Sequence, residues 1–179
     1  SWPESITFKN AEAAFQSLKF PKQAKEFSNL TGNEAFRLKV KLSRKGGIDY
    51  SYSGYGNNWL GMKAILEAKF KDANLREQLL ASGDRYLLEH NTTQGRDNIW
   101  SDDLTGEGSN WLGLQLMLLR DDILRENSLP ETKWSSQLEN IGINWENPPD
   151  PPRGVDEWNK DNKPNEIWQK TIKDAISNI

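Results

Sequence analysis

The sequence predicts a single α+β domain in which helices dominate and a few short strands are added. Two observations lead to this fold class. Apolar residues recur at steps of three and four positions, as from Trp59 through Met62 and Leu66 to Phe70. Short runs with extended character lie between such stretches, at residues 6–8 and 85–89, and these are the expected strands.

The first half of the chain predicts several helices in succession. Asn10 is a suitable N-cap for the first helix, and Pro21 and Gly32 punctuate the chain between helices. The helices expected there cover residues 11–18, 23–29 and 34–42. Residues 45–58 interleave glycines with tyrosines and predict a loop, either one that wraps a ligand or a variable surface loop.

The second half contains the strongest helical pattern. Leu112, Leu116, Leu119 and Ile123 form one apolar stripe, after a polar loop over residues 90–109. The other helices expected there cover residues 75–81 and a short stretch after Pro164.

The composition of the chain changes after Asn127. Residues 148–152 read Pro-Pro-Asp-Pro-Pro, which is typical of a stiff extended linker, and the helix expected beyond them is too apolar to be a free peptide. We therefore predict a domain at residues 1–127 and a C-terminal extension at residues 128–179 that docks on the core.

Composition also excludes several classes of protein. The 179 residues include no cysteine, which excludes disulfides and thiolate chemistry and favours a reducing, cytoplasmic compartment. A single histidine, His90, argues against a transition-metal site, so we expect neither metal nor cofactor. No apolar run is long enough to span a membrane, and a formal net charge of −3 provides no global basic field for nucleic acid.

The first predicted helix carries polar residues along one face. Glu12, Gln16 and Lys19 fall within a narrow arc at 3.6 residues per turn, and Phe15 borders them. These side chains could grip a ligand, or they could form a solvated face, which is the simpler alternative.

Two later segments could also contact a ligand. Asp84 follows the helix end at Ser82-Gly83, where an aspartate either caps a helix or points into a cleft. Gly106 and Gly108 precede the helix that opens near Trp111, and free backbone N–H groups at such a position can hold a phosphate. The spacing does not match a P-loop or a Rossmann motif.

Four motifs follow one another within residues 6–123. The first comprises Glu12, Phe15, Gln16 and Lys19-Phe20, and the second runs from Trp59 to Ala68-Lys69-Phe70. The third is Leu79-Leu80-Ala81-Ser82-Gly83-Asp84 with Glu89 after it, and the fourth contains Asp97, Trp100, Gly108, Asn110, Leu112-Gly113, Leu116-Met117 and Arg120. In this order the motifs resemble the YbiA-like or NADAR superfamily. Because the resemblance ends near Ser128, a truncation after Asn144 is expected to fold cooperatively.

The resemblance implies a YbiA-like fold and a metal-independent N-glycosidase whose catalytic domain covers residues 1–127. Members of the superfamily include N-glycosidases that act on early riboflavin-pathway intermediates and hydrolases that remove ADP-ribose from modified guanine in nucleic acid. The partner would then be a nucleotide-like small molecule or an ADP-ribosylated nucleic acid. By position in the motifs, the catalytic residues would be Glu12, Lys19 and Asp84. The substrate-binding residues would be Phe15, Gln16, Trp59, Asp97, Trp100, Gly108, Asn110 and Gly113.

Several features leave alternatives open. Lys19 could hold a phosphate or attack the sugar C1 as an amine. We expect one pocket lined by the first helix, residues 45–58 and residues 97–110. Residues 100–103 read Trp-Ser-Asp-Asp where the family has Trp-Gly-x-Gly, which adds bulk and negative charge beside this pocket. A non-catalytic ADP-ribose- or NAD-binding module is therefore an alternative, and an interaction protein acting through its Trp-rich tail is another. The family's phosphate-binding arginine has no clear counterpart, and Arg37 or Arg44 could replace it.

Overall fold

The computed structural model describes residues 6–150 and 165–177, and in these ranges the regular elements are all helical. The described part of the protein is therefore all-α, and the prediction of an α+β fold with a few short strands was wrong. The helices are α1 (Ala11–Leu18), α2 (Ala24–Phe27), α3 (Gly32–Ser43), α4 (Asn58–Lys69), α5 (Ala73–Ala81), α6 (Trp111–Glu126), α7 (Lys133–Asn140) and α8 (Glu166–Ile176), with a 3₁₀ turn at Pro21–Gln23 before α2.

The described residues form two compact units. The first unit contains residues 6–71 with α1 to α4, and the second contains residues 72–150 and 165–177 with α5 to α8. The two units divide between residues 71 and 72, and the boundary predicted between residues 127 and 128 falls within the second unit. A catalytic domain at residues 1–127 therefore stays a prediction.

Neither segment expected to be a strand is paired with another strand in the described chain. Residues 6–8 precede Lys9, whose N–H donates to the Ser28 carbonyl at 3.2 Å, a single link rather than a ladder. Residues 85–89 are held by the side chain of Asn110, which bonds Glu89 N and Leu87 O. A strand needs a neighbouring backbone to satisfy its N–H and C=O groups, and here a side chain takes that place.

The first unit is organised around α1. The side chain of Asn10 caps this helix by accepting from Ala13 N at 2.9 Å, as predicted. Helix α1 packs against α2, α3 and α4. Its buried side joins a core cluster formed by Ala13, Phe20, Phe27 and Ala35.

Helix α3 begins earlier than the sequence predicted. The hydroxyl of Thr31 accepts from Glu34 N, and the Glu34 carboxylate accepts from Thr31 N at 2.8 Å, which completes a capping box. Gly32 is consequently the first residue of the helix rather than a separator.

The second unit is built on α6. Leu114 and Met117 of this helix are fully buried, and α5 and α7 pack against it. Trp168 and Ile172 of α8 are also buried, and Trp168 Nε1 donates to Ser109 O at 2.8 Å. The described part of the C-terminal extension therefore belongs to the core of this unit. Helix α7, which begins after the Thr132 cap, was not predicted.

In the described ranges, none of these helices combines the length and the apolar character that crossing a membrane requires.

Candidate functional site

Helix α1 brings three of the predicted site residues into one hydrogen-bonded line. Gln16 Nε2 donates to Glu12 Oε1 at 2.8 Å, and Lys19 Nζ donates to Gln16 Oε1 at 2.9 Å. Gln16 is 5% exposed, while Glu12 and Lys19 are partly buried at either end of the line. A simple solvated face would not bury the central amide, so this face of α1 is an organised polar surface.

Two aromatic rings adjoin the lysine end of this line. Phe15 is buried and stacks on Tyr52 with ring centroids 5.7 Å apart. The Lys19 ammonium lies 4.7 Å from the Phe15 centroid and 5.7 Å from that of Tyr52. Tyr52 is also buried, at 5% exposed, so these two rings fix the position of the lysine cation.

The segment between α3 and α4 is tied to the end of α1. Asp49 N donates to Lys19 O at 2.9 Å, and Ser53 Oγ donates to Leu18 O at 2.8 Å. The Asp49 carboxylate accepts from Ser51 N and Ser53 N. Burial raises the pKa of Asp49, but its bonds to Ser51 and Ser53 outweigh burial and lower that pKa. The turn at residues 49–53 thereby places the Tyr52 ring beside the Lys19 ammonium.

Sequence reasoning singled out the tyrosine-rich loop but assigned no role to Tyr52 or Asp49. The Asp-x-Ser-x-Ser pattern at residues 49–53 is typical of a turn in which an aspartate bonds the backbone two residues ahead. That pattern could have indicated a fixed loop rather than a variable one.

Two further residues of the first unit adjoin the site or its core. Gly32 at the start of α3 faces Glu12, since a Cβ atom built on it would lie 3.5 Å from the Glu12 Cβ. Trp59, in the first turn of α4, is only 1% exposed. Its ring is therefore largely enclosed by protein in this structure.

The other predicted binding residues belong to the second unit. Asp97 Oδ1 accepts from Ile99 N and Trp100 N, both at 3.0 Å, and folds the chain into a turn. The Trp100 ring meets the Trp111 ring edge to face at a centroid distance of 5.5 Å. Gly108 lies so close to Ser101 that a Cβ atom there would be 2.2 Å from the Ser101 carbonyl oxygen. No other residue fits at that position.

Asn110 and Gly113 join the start of α6 to residues 85–89. Asn110 is fully buried in the left-handed conformation, with φ of 46°, and donates from Nδ2 to Leu87 O and to the Tyr86 hydroxyl at 3.0 Å. A Cβ atom on Gly113 would lie 2.0 Å from Leu87 O. The contacts of both residues are structural, and a binding role for them stays a prediction.

The Ser101-Asp102-Asp103 segment, which replaces Gly-x-Gly of the family pattern, is buried. Asp102 is fully buried and accepts from Asn91 N at 2.9 Å and Leu104 N at 3.0 Å, while His90 Nδ1 lies 2.6 Å from its Oδ2. Burial raises the pKa of Asp102, but these hydrogen bonds outweigh it and lower that pKa. The carboxylate thus organises the polar loop.

Glu89 lies beside this loop on the surface. Burial raises the pKa of Glu89, and the negative charges of Asp97 and Asp102 raise it further.

Asp84 has the contacts of a helix cap. Its Oδ1 accepts from Lys133 N at 3.1 Å at the start of α7, and its carbonyl accepts from Trp134 Nε1. Nearby, Arg120 is fully buried and donates from Nη1 to Ser82 Oγ and Arg85 O. Burial lowers the pKa of Arg120. Both residues hold the turn that follows α5.

The predicted site residues therefore divide between the two units. Glu12, Phe15, Gln16, Lys19 and Trp59 lie in the first, and the remainder lie in the second. A single pocket that combines them stays a prediction. Within the described ranges, no three His, Asp or Glu side chains are grouped so that they could hold a metal ion.

Comparison with known proteins finds one similar curated protein. Over 123 residues, 68% of its length, it is 31% identical to a riboflavin biosynthesis protein of Vibrio vulnificus (strain YJ016). The chain spans 31% of the length of that protein. No protein-family model and no solved structure matches the chain. The similarity is consistent with the resemblance to the NADAR superfamily but does not by itself establish membership.

Proposed function

We propose that the protein is an N-glycosidase that hydrolyses the bond between a nucleobase-like ring and a phosphorylated ribose. The observation that carries this proposal is the line Glu12–Gln16–Lys19 beside the stacked rings of Phe15 and Tyr52. It offers a carboxylate and a cation on one helix, with the cation held against two buried aromatic rings. The similarity to a riboflavin biosynthesis protein supports a substrate of this class.

Glu12 is the proposed acid–base group. In the reaction it accepts a proton from a water molecule whose oxygen attacks the anomeric carbon. The carbon–nitrogen bond breaks, and the leaving nitrogen takes up a proton from solvent. The negative carboxylate also offsets the positive charge that develops on the sugar. Gln16 donates to Glu12 and so fixes the orientation of the carboxylate.

Lys19 is the proposed ligand for the phosphate or a ribose hydroxyl. Its ammonium is held by Gln16 Oε1 at one end of the line, and Glu12 is held at the other. One amide therefore sets the positions of both charged groups relative to each other. Asp84 is left out of this scheme because its contacts are those of a helix cap.

Two substrates follow from the family resemblance: a ribosylamino-pyrimidine phosphate of the riboflavin pathway, and guanine carrying ADP-ribose. The direct test is to incubate the protein with each and to detect the released base by chromatography. Release from either supports the proposal. Binding of ADP-ribose or ribose phosphate without release favours the non-catalytic module instead.

Substitutions on α1 test the assigned roles. Glu12→Gln should lower turnover about 100-fold or more while binding survives, because the amide keeps the shape but lacks the charge. Lys19→Met should mainly weaken binding. Matched controls are Glu26→Gln and Lys25→Met on the exposed side of α2, which should leave turnover unchanged. Full activity of Glu12→Gln would refute the assignment.

The alternative role of Lys19 has its own readout. If Lys19 attacks the sugar C1, borohydride should reduce the resulting imine and add the mass of the sugar to the parent protein. No adduct should then form on Lys19→Met. An adduct on the parent would replace the phosphate-binding role with the nucleophilic one.

A further inference from the structure

We infer that the exposed face of α3 binds the phosphate backbone of a single-stranded nucleic acid. This deepens the nucleic-acid alternative named above by giving it a docking surface. It is tested with unmodified strands, so its outcome does not depend on turnover.

The first observation is that the two units carry opposite charge. Residues 6–71 contain twelve Lys and Arg against five Asp and Glu, a formal net charge of +7. Residues 72–150 and 165–177 contain eight basic and seventeen acidic side chains, a formal net charge of −9. The overall net charge of −3 hides this separation. A basic surface on the first unit can attract a polyanion that the protein as a whole would not.

The second observation is that α3 concentrates cations on one side. Arg37, Lys41 and Arg44 are all exposed. Their spacing of four and three residues places them within about 60° of one another around the helix axis and along about 10 Å of its length. This cationic stripe could contact successive phosphates of one strand, with two guanidinium groups suited to bidentate contacts.

The stripe is fixed in direction by the opposite side of the helix. Ala35 belongs to the core of the first unit, and Leu38 and Leu42 pack against that core. The only carboxylate on α3 is that of Glu34, which is engaged by Thr31 N and Thr31 Oγ1, both at 2.8 Å. Helix α3 thus presents three exposed cations on one side, and its single acid, Glu34, lies one turn before Arg37 with its carboxylate engaged in the cap.

The third observation favours a single strand over a duplex. The exposed large aromatic side chains of the described chain are Phe36 on α3 and Tyr50 and Tyr55 in the segment after it, which are 52%, 56% and 40% exposed. Unpaired bases stack on such rings, whereas bases inside a duplex do not reach them. Lys39 Nζ lies 5.1 Å from the Phe36 centroid, which keeps a further cation beside that ring.

The experiment measures fluorescence anisotropy of a labelled oligo(dT) of about 15 nucleotides and of a duplex of equal length. The triple variant Arg37→Gln, Lys41→Gln, Arg44→Gln should bind the single strand about tenfold more weakly at about 50 mM salt. Its log–log salt slope should be shallower by about 2, since each lost phosphate contact removes about 0.7. The single variant Phe36→Ala, which keeps all the cations, should weaken single-strand binding about fivefold and duplex binding much less.

The matched control removes three cations from the second unit, as Arg76→Gln, Lys133→Gln, Lys170→Gln. It should bind within about twofold of the parent, because net charge changes equally in both triples while only one alters α3. Equal weakening by both triples would overturn the inference. So would duplex binding as tight as single-strand binding, or binding to anionic phospholipid vesicles but not to the oligonucleotide.

Discussion

Replacing Asp150 is the sharpest test of how the second unit is packed. Its carboxylate accepts from Trp111 Nε1 at 2.6 Å and from Ser109 Oγ at 3.1 Å. Burial raises the pKa of Asp150 from 3.8 to about 6, although both hydrogen bonds act in the opposite direction. The charged form is therefore disfavoured in the folded protein relative to the unfolded chain.

The size of the effect on stability follows from the difference between the folded and unfolded pKa of Asp150. Because the pKa of Asp150 is higher in the folded state, its contribution to the stability of the folded protein is complete below the unfolded pKa of 3.8. That contribution is lost as pH rises through about 6. At roughly 1.4 kcal/mol for each tenfold change, the full effect is about 3 kcal/mol. Between about pH 4.5 and about pH 7.5, about 2 kcal/mol of it is lost. Asp150→Asn keeps an acceptor oxygen but does not ionise, so it should lack this pH dependence.

The assay is urea unfolding followed by tryptophan fluorescence, for the parent and the variant at both pH values. Subtracting the two free energies of unfolding cancels the titration of the other carboxyl groups. Relative to the parent, the free energy of unfolding of Asp150→Asn should rise by about 2 kcal/mol on going from the lower to the higher pH. Glu139→Gln, at an exposed position on α7, serves as the control and should show a constant difference. A constant difference for Asp150→Asn as well, or one that moves in the opposite direction, would refute the reasoning from burial.

Three other changes have definite expected outcomes. Gly113→Ala should lower the free energy of unfolding in urea by at least about 2 kcal/mol, because its Cβ has no space, whereas Gly32→Ala should change it by less than about 1 kcal/mol. Truncation after Asn144 should abolish the cooperative thermal transition followed by circular dichroism, because it removes the buried Trp168. A retained transition would instead support the expectation drawn from the extent of the family resemblance. Gln16→Met should lower turnover even where the urea midpoint is little changed, and unaltered turnover would indicate that the line on α1 only stabilises the helix.

Local sequence patterns were reliable for the helices but not for the strands. Asn10 as an N-cap and the apolar steps through Trp59 and Met62 act within one helix, so the sequence contains all that is needed to predict them. Residues 6–8 and 85–89 have the sequence character of strands, yet a strand also requires a neighbouring strand. The partner of the second segment is the side chain of Asn110, and that choice depends on how α6 approaches it.

The candidate site shows the same division. The sequence alone placed Glu12, Gln16 and Lys19 on one face of a helix, because a periodicity of 3.6 residues fixes which side chains are neighbours. It could not show that the central amide is buried and bonded at both ends, nor that Tyr52 returns over the lysine from 33 residues further along the chain. The sequence predicted that the C-terminal extension docks, but only the tertiary structure showed that Trp168 of α8 bonds the Ser109 carbonyl. Burial and long-range contacts depend on how helices distant in sequence pack together, and no local pattern records that packing.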